Sequence, residues 1–105
     1  MPKLYFASPR DLPTVRPQAG VTERTLKGQD SVVLVSDLGA RTVVGTHKHE
    51  EERIGLVTRG SVAMVIAGEQ RILTEGDTYV VPPATAHGIR VLEQGAQVVE
   101  VHRDR

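Results

Sequence analysis

Residues 76–87 have the sequence GDTYVVPPATAH, a short apolar strand that begins after a glycine, ends at two prolines and is followed by His87. His47 precedes His87 by forty positions, and a single residue separates His47 from His49. Residues i and i+2 of an extended strand point to the same face, so His47 and His49 can bind one ion from one side. His87, beyond the Pro-Pro turn, can supply a third imidazole from across a barrel. The stretch therefore predicts a β-barrel with a metal site formed by three histidines.

Short strand-like segments separated by turn residues continue this pattern along the chain. Each is rich in Val, Ile, Leu, Thr or Tyr and is bounded by glycine or proline. The predicted strands are Val32 to Ser36, Thr42 to Lys48, Ile54 to Thr58, Ser61 to Ala67, Gln70 to Thr74, Thr78 to Val81, Ile89 to Leu92 and Gln97 to His102. Tight hairpins are predicted at Thr58-Arg59-Gly60 and at Ala67-Gly68-Glu69. No window has a sustained helical period, so the sequence predicts an all-β sandwich or barrel.

The first thirty residues differ from the rest of the chain in their proline content. They contain four of its prolines, Pro2, Pro9, Pro13 and Pro17. Residues 1–30 are therefore predicted to form an extended N-terminal arm, with one edge strand around Thr22 to Leu26, and residues 31–105 to form the barrel. Such arms often pack on a neighbouring subunit, so we expect a homodimer formed through the arm and an exposed sheet edge.

Composition limits the class of partner. Thirteen basic and thirteen acidic residues give a formal net charge of zero, which argues against nucleic acid and against a membrane surface and favours a small-molecule substrate or ligand. The absence of cysteine excludes thiolate metal sites and a cysteine nucleophile. Neither a secretory signal nor an apolar run of membrane length is present, so we expect a cytoplasmic protein.

A longer motif that contains this strand resembles the second motif of the cupins, a family of small β-barrels. That motif is G-x5-P-x-G-x2-H-x3-N. It is matched in register at Gly76, Pro82 and His87, with Ala84 in place of the second glycine and Val91 in place of asparagine.

The first cupin motif, G-x5-H-x-H-x3,4-E-x6-G, is matched at His47, His49 and Gly60, whereas Arg41 stands at its first glycine and predicts an entry turn of different length. The resemblance implies the cupin double-stranded β-helix, an antiparallel jelly-roll barrel of six to eight strands. It also implies one divalent ion held by His47, His49 and His87. Imidazole ligation allows Zn, Ni, Mn or Fe and does not distinguish them.

Arg53 stands where cupins usually carry a glutamate ligand, and a guanidinium cannot coordinate a metal because it stays protonated. Glu51 or Glu52 can replace the missing ligand if the loop shifts. Alternatively, Arg53 points into the barrel and binds an acidic substrate, while the metal keeps three histidines and an open position, as catalytic sites do. A third reading is a degenerate cupin that has lost its metal.

Residues 76–83, 87–93 and 99–102 resemble, more narrowly, the small pectin-degradation cupins that convert unsaturated uronates to linear keto sugars. The resemblance implies that Glu100 is the acidic residue of the last strand. It places His102 where an aromatic residue is expected and Arg53 where an amide ligand is expected. If their face of the strand lines the cavity, Glu100 and His102 are candidates for general acid or base; if it faces solvent, they are ordinary polar residues.

These observations lead to a functional hypothesis of metal-assisted proton transfer by a lyase or isomerase acting on a small, sugar-acid-like substrate. Glu100, or a carboxylate from Glu51 or Glu52, would move the proton, and Arg53 would hold the substrate carboxylate. A metal-dependent dioxygenase and a non-catalytic cupin that binds a small ligand or metal are the alternatives. The sequence lacks the two-histidine, one-carboxylate triad of non-haem iron oxygenases, which favours proton transfer over oxygen chemistry.

Overall fold

The computed structural model describes residues 5–104, which form eight β-strands and one 3-10 turn at Pro9–Asp11. The strands are β1 (Thr14–Gln18), β2 (Val21–Lys27), β3 (Ser31–Leu38), β4 (Val43–His47), β5 (Arg53–Ile66), β6 (Glu69–Leu73), β7 (Thr78–Val81) and β8 (His87–Arg103). Every strand pair is antiparallel. The predicted all-β, antiparallel fold class is confirmed.

Strands β5 and β8 run through both layers of the fold. The first part of β5 pairs with β7 and its second part with β6. The first part of β8 pairs with β4 and its second part with β3. One layer therefore has the order β1-β2-β3-β8-β5-β7 and the other the order β4-β8-β5-β6, which is the arrangement of a jelly roll.

The long strands β5 and β8 each continue through a bend at which the sequence predicted the end of a strand. The predicted hairpin at Thr58-Arg59-Gly60 is wrong, because β5 continues through these residues with shifts of register against β8. Gly60 has a φ of 75° and faces Gly95, which has a φ of 72°, and a side chain on Gly60 would collide with the Gly95 carbonyl. These glycines allow bulges, which bend a strand without ending it. The hairpin predicted at Ala67-Gly68-Glu69 is confirmed between β5 and β6.

The segment predicted as an arm contributes strands to the first layer. Strand β2 covers the strand predicted around Thr22 to Leu26 and lies between β1 and β3, so β1 is the strand at the edge. Residues 1–4 of the predicted arm lie outside the described residues, and the division at residue 30 stays a prediction. Among residues 5–104, no helix has the length and apolar character needed to cross a membrane.

Two residues that replace motif glycines adopt the backbone conformation that favours glycine. Arg41 has a φ of 62° and Ala84 a φ of 55°. The backbone N–H of Ala84 donates to the carbonyl of His49 at 2.7 Å, so this strained turn ties the Pro-Pro loop to the loop after β4. A residue other than glycine in this left-handed conformation lowers the stability of the fold by about 1–2 kcal/mol at each of the two positions.

The core lies between the two layers. It is formed by side chains that the strands direct inward from both layers: Val21, Leu38, Val57, Val62, Met64, Tyr79, Val81, Val91, Ala96 and Val98. Three of these core residues, Val21, Leu38 and Val98, also line a cavity that polar residues from β4, β5 and β8 border.

Candidate metal centre

Three histidines meet at the open side of the barrel. His47 ends β4 and His87 begins β8, where the two residues are direct cross-strand partners. His49 lies two residues beyond His47, a spacing that in extended chain places both side chains on the same, inward face. One nitrogen from each ring lies within 4.8 Å of the others. The structure therefore brings together the three residues that the sequence singled out as metal ligands.

Backbone carbonyls select the ring nitrogen that faces the cluster. His47 Nδ1 lies 2.7 Å from the Gly45 carbonyl, and His87 Nδ1 lies 2.9 Å from the Thr85 carbonyl. Because a carbonyl can only accept, Nδ1 carries the proton in both rings. Nε2 is then the ring nitrogen left to bind a metal, which is the arrangement found where histidines bind metals.

The electrostatic environment keeps His49 neutral. Burial is the largest cause that lowers the pKa of His49, to about 4, followed by Arg53 and by the two other histidines, while Glu100 opposes the shift. A neutral imidazole is the form that binds a metal. Three imidazoles held at this separation fit a first-row divalent ion such as Zn, Ni, Mn or Fe.

The histidines line a cavity of about 400 Å³ that also contains opposite charges. Arg53 from β5 and Glu100 from β8 line it together with apolar residues, among them Leu34, Val44, Ile89 and Val98. This volume lies at the lower end of the range for small-molecule sites. The cavity thus combines a histidine cluster that could hold a metal, a positive charge and a carboxylate.

Glu100 accepts hydrogen bonds at both of its oxygens. Arg53 Nη1 donates to Oε1 at 3.3 Å, and the Tyr79 hydroxyl donates to Oε2. Arg53 and Glu100 are 11% and 14% exposed, so their ion pair is shielded from solvent. A carboxyl group that accepts from two donors is held in a defined orientation.

Tyr79 reaches Glu100 across a glycine. Tyr79 on β7, Gly55 on β5 and Glu100 on β8 are consecutive cross-strand neighbours. A Cβ atom on Gly55 would collide with the tyrosine ring. Burial is the main cause that raises the pKa of Tyr79, and the charge and hydrogen bond of Glu100 raise it further, so the hydroxyl keeps its proton. The sequence reasoning missed Tyr79, although a glycine inside a strand is a sign of close packing.

The remaining candidates from the sequence lie outside the histidine cluster. Glu51 Oε1 is 3.6 Å from Arg53 Nη2, and Glu52 is exposed. His102 shares the parity of Glu100 but sits at a separate surface pocket, with its Nδ1 against the Arg103 carbonyl at 2.8 Å. The group of metal-ligating side chains found among residues 5–104 consists of the three histidines. Roles for Glu51, Glu52 and His102 in ligation or catalysis stay predictions.

Comparisons with known proteins bear on this site. The family model described as "Cupin domain" matches residues 34–102. The pectin degradation protein KdgF of Dickeya dadantii (strain 3937) is 34% identical over 83 residues, 77% of this chain and 76% of that protein. H2HPP isomerase of Bacillus subtilis is 33% identical over 89 residues, which are 84% of this chain and 36% of that protein. The structure of KdgF from Halomonas sp. has a TM-score of 0.88 at 25% identity and covers 98% of this chain and 96% of that one.

The substitution Gly55→Ala is expected to lower the free energy of unfolding by about 2–4 kcal/mol, because the added methyl group displaces the Tyr79 ring and breaks its hydrogen bond to Glu100. The matched control is Gly45→Ala, where a methyl group meets nothing within 4 Å. Urea unfolding followed by far-ultraviolet circular dichroism measures both. Equal stability of the two variants would contradict the tight packing of Tyr79 on Gly55.

The lowered pKa of His49 makes the stability of the metal-free protein depend on pH. The folded-state pKa of about 4 lies below the value of 6.5 for an unperturbed histidine, so between these limits the unfolded state binds more protons. The contribution of His49 is therefore complete above pH 6.5 and is lost as the pH falls toward 4.

Urea unfolding of chelator-treated protein across this pH range should show stability falling with acid, and His49→Gln should flatten that dependence. An unchanged dependence in His49→Gln would show that other groups cause it.

Proposed function

Because the chain belongs to the cupin domain family, we propose that it is a metal-dependent lyase or isomerase that moves a proton within a small, sugar-acid-like substrate. The observation that carries the proposal is the joint placement of three imidazoles, a guanidinium and a carboxylate in one cavity. The imidazoles suit a divalent ion, the guanidinium suits an acidic substrate, and the carboxylate suits proton transfer.

His47, His49 and His87 are the residues that would hold the ion. Their ligand atoms are close enough to share one ion, and the carbonyls of Gly45 and Thr85 orient two of the rings. A divalent ion bound there supplies a Lewis acid that polarises a carbonyl or hydroxyl oxygen.

Arg53 binds the substrate carboxylate in this proposal. Its Nη1 donates a hydrogen bond to Glu100, whereas its buried Nε has no hydrogen-bond partner among the described residues. A buried donor without an acceptor is costly, and a carboxylate can accept from a guanidinium in two parallel bonds. Arginine suits this role because its guanidinium group keeps its positive charge at every physiological pH, so it can always pair with the substrate carboxylate.

Glu100 moves the proton. It lines the cavity with the three histidines, and each of its oxygens accepts a hydrogen bond, one from Arg53 and one from Tyr79. In a cyclic unsaturated uronate, the hemiacetal hydroxyl loses its proton, the ring C–O bond breaks, and the alkene carbon gains a proton. The atoms of substrate and product are the same, so the reaction needs neither an oxidant nor a reductant.

The names of two relatives agree with this class of chemistry. One is described as a pectin degradation protein and the other as an isomerase. This chain spans 36% of the length of the isomerase, so the activity of that whole protein is not transferred here.

The first test combines metal analysis with turnover. Protein purified without chelator should contain about one divalent ion per chain by plasma mass spectrometry, and His47→Ala/His87→Ala should lose it. Lys48→Ala, an exposed substitution between two of the proposed ligands, is the matched control. Glu100→Gln should keep the ion and lose roughly a hundredfold or more in turnover of an unsaturated uronate, followed by loss of its ultraviolet absorbance.

Full turnover in the double histidine variant would exclude a metal-dependent reaction. A bound ion without turnover of any unsaturated uronate would instead favour a cupin that binds a small ligand or metal without catalysis. Oxygen consumption that depends on substrate would favour a dioxygenase.

We also propose that the chain forms a homodimer. Strand β1 is exposed along its whole length and lies at the end of the strand order. Exposed apolar side chains occupy adjacent positions on the outer surface of β5, β7 and β8: Ile54, Leu56, Val80 and Val101. Contiguous apolar surface of this kind often marks an interface between proteins.

Ile54→Lys should therefore shift the protein from dimer to monomer in sedimentation velocity at micromolar concentration, because it places a charge in the proposed interface. Ile72→Lys is the matched control, since Ile72 is also exposed but lies on β6 in the other layer. A monomeric unmodified protein would exclude the homodimer.

A further inference from the structure

The strongest unassigned contact in the structure lies behind the cavity, where a buried hydroxyl meets the proposed catalytic carboxylate. Tyr79 is 7% exposed and belongs to the core, whereas Glu100 lines the cavity. The hydroxyl of Tyr79 donates to Glu100 Oε2 from the core side. Nothing in the cupin motifs of this chain assigns a function to a tyrosine at this position.

The contact depends on a specific combination of residues in three neighbouring strands. A tyrosine and a glutamate that both neighbour the same residue are separated by that residue's strand. Gly55 is the residue between them, and its missing side chain leaves the space that the Tyr79 ring fills. The combination makes the contact a built feature of the sheet rather than a chance approach of two surface groups.

The two hydrogen bonds define the orientation of Glu100. Arg53 and Tyr79 both donate to it, one to each oxygen. Because the donors come from two different strands, β5 and β7, both ends of the carboxyl group are fixed relative to the sheet.

We propose that Tyr79 is a positioning residue that fixes Glu100 as the general base of the cavity. This inference rests on the proposed function, because it assigns Glu100 its part in that reaction. Tyr79 holds Oε2 and Arg53 holds Oε1, so rotation of the carboxylate would break at least one of these hydrogen bonds. Tyr79 does not touch the substrate and acts through Glu100.

The contact itself can be tested without substrate. The chain contains two tyrosines, so protein labelled with ¹³C at the phenol Cζ gives two NMR signals, and Tyr5→Phe identifies the signal of Tyr79. Glu100→Gln should move the Tyr79 signal, because the amide is a weaker acceptor than a carboxylate. It should leave the signal of Tyr5 unchanged, since Tyr5 is 76% exposed. An unmoved Tyr79 signal would overturn the proposal.

The catalytic consequence is tested by kinetics on the unsaturated uronate. Tyr79→Phe should lower kcat about tenfold, since a misplaced catalytic group loses rate, while KM stays within about twofold and the metal content stays the same. Tyr5→Phe is the matched control and should leave kcat unchanged. A fall in kcat that accompanies an equal loss of metal would assign Tyr79 a structural role only and overturn the proposal.

A double variant separates action through Glu100 from a general effect on the fold. If Tyr79 acts through Glu100, adding Tyr79→Phe to Glu100→Gln should produce no further loss of kcat. A second tenfold loss in the double variant would overturn the proposal.

If the Tyr79 signal moves as expected but no uronate is turned over by the unmodified protein, the contact stands and the proposed function fails. If the unmodified protein turns over the uronate but the Tyr79 signal does not move, the proposed function stands and the proposed role of Tyr79 fails.

Discussion

The antiparallel ladder between β5 and β8 is the constraint on which the rest of the structure depends. It runs from Arg53 opposite His102 to Ile66 opposite His87, and both strands bend where Gly60 meets Gly95. Because each strand belongs to both layers, the ladder fixes how the layers face each other. It also places a guanidinium and a carboxylate in one layer within the same cavity as the histidine that begins β8 in the other layer. The site is therefore a product of strand register rather than of a local motif.

Opposite charges inside the barrel stabilise one arrangement of side chains more than they stabilise the fold. Desolvation offsets much of the attraction between a buried guanidinium and a carboxylate, so the pair of Arg53 and Glu100 is weak evidence for stability. Removing either partner would leave an uncompensated charge, which costs more than the pair contributes. The hydrogen bond from Tyr79 and the nearby carboxylate of Glu51 add to the compensation. The network therefore specifies where Glu100 points.

The sequence predicted the histidine cluster because strand parity and motif spacing decide it. The same parity grouped Glu100 with His102, yet of the two only Glu100 lines the cavity, whereas His102 lies next to the last residue of β8 and borders a separate surface pocket. The glycine at position 60 was read as a turn, since a bulge and a hairpin both require a left-handed residue and look the same in a single sequence. The contact of Tyr79 with Glu100 joins β7 and β8 across β5, and local patterns do not show which strand lies between two others.

Arg53, at the position where cupins usually carry a further ligand, affects the histidine cluster in two opposite ways. A positive charge beside a cation-binding cluster disfavours a cation, and it also lowers the pKa of His49, which favours the neutral, ligating form. The carboxylates of Glu51 and Glu100 within 4 Å of the guanidinium offset the first effect without removing the second. In the proposed reaction, the same charge would bind the carboxylate of an acidic substrate. One side chain would then both leave the metal with an open position and supply the carboxylate-binding group.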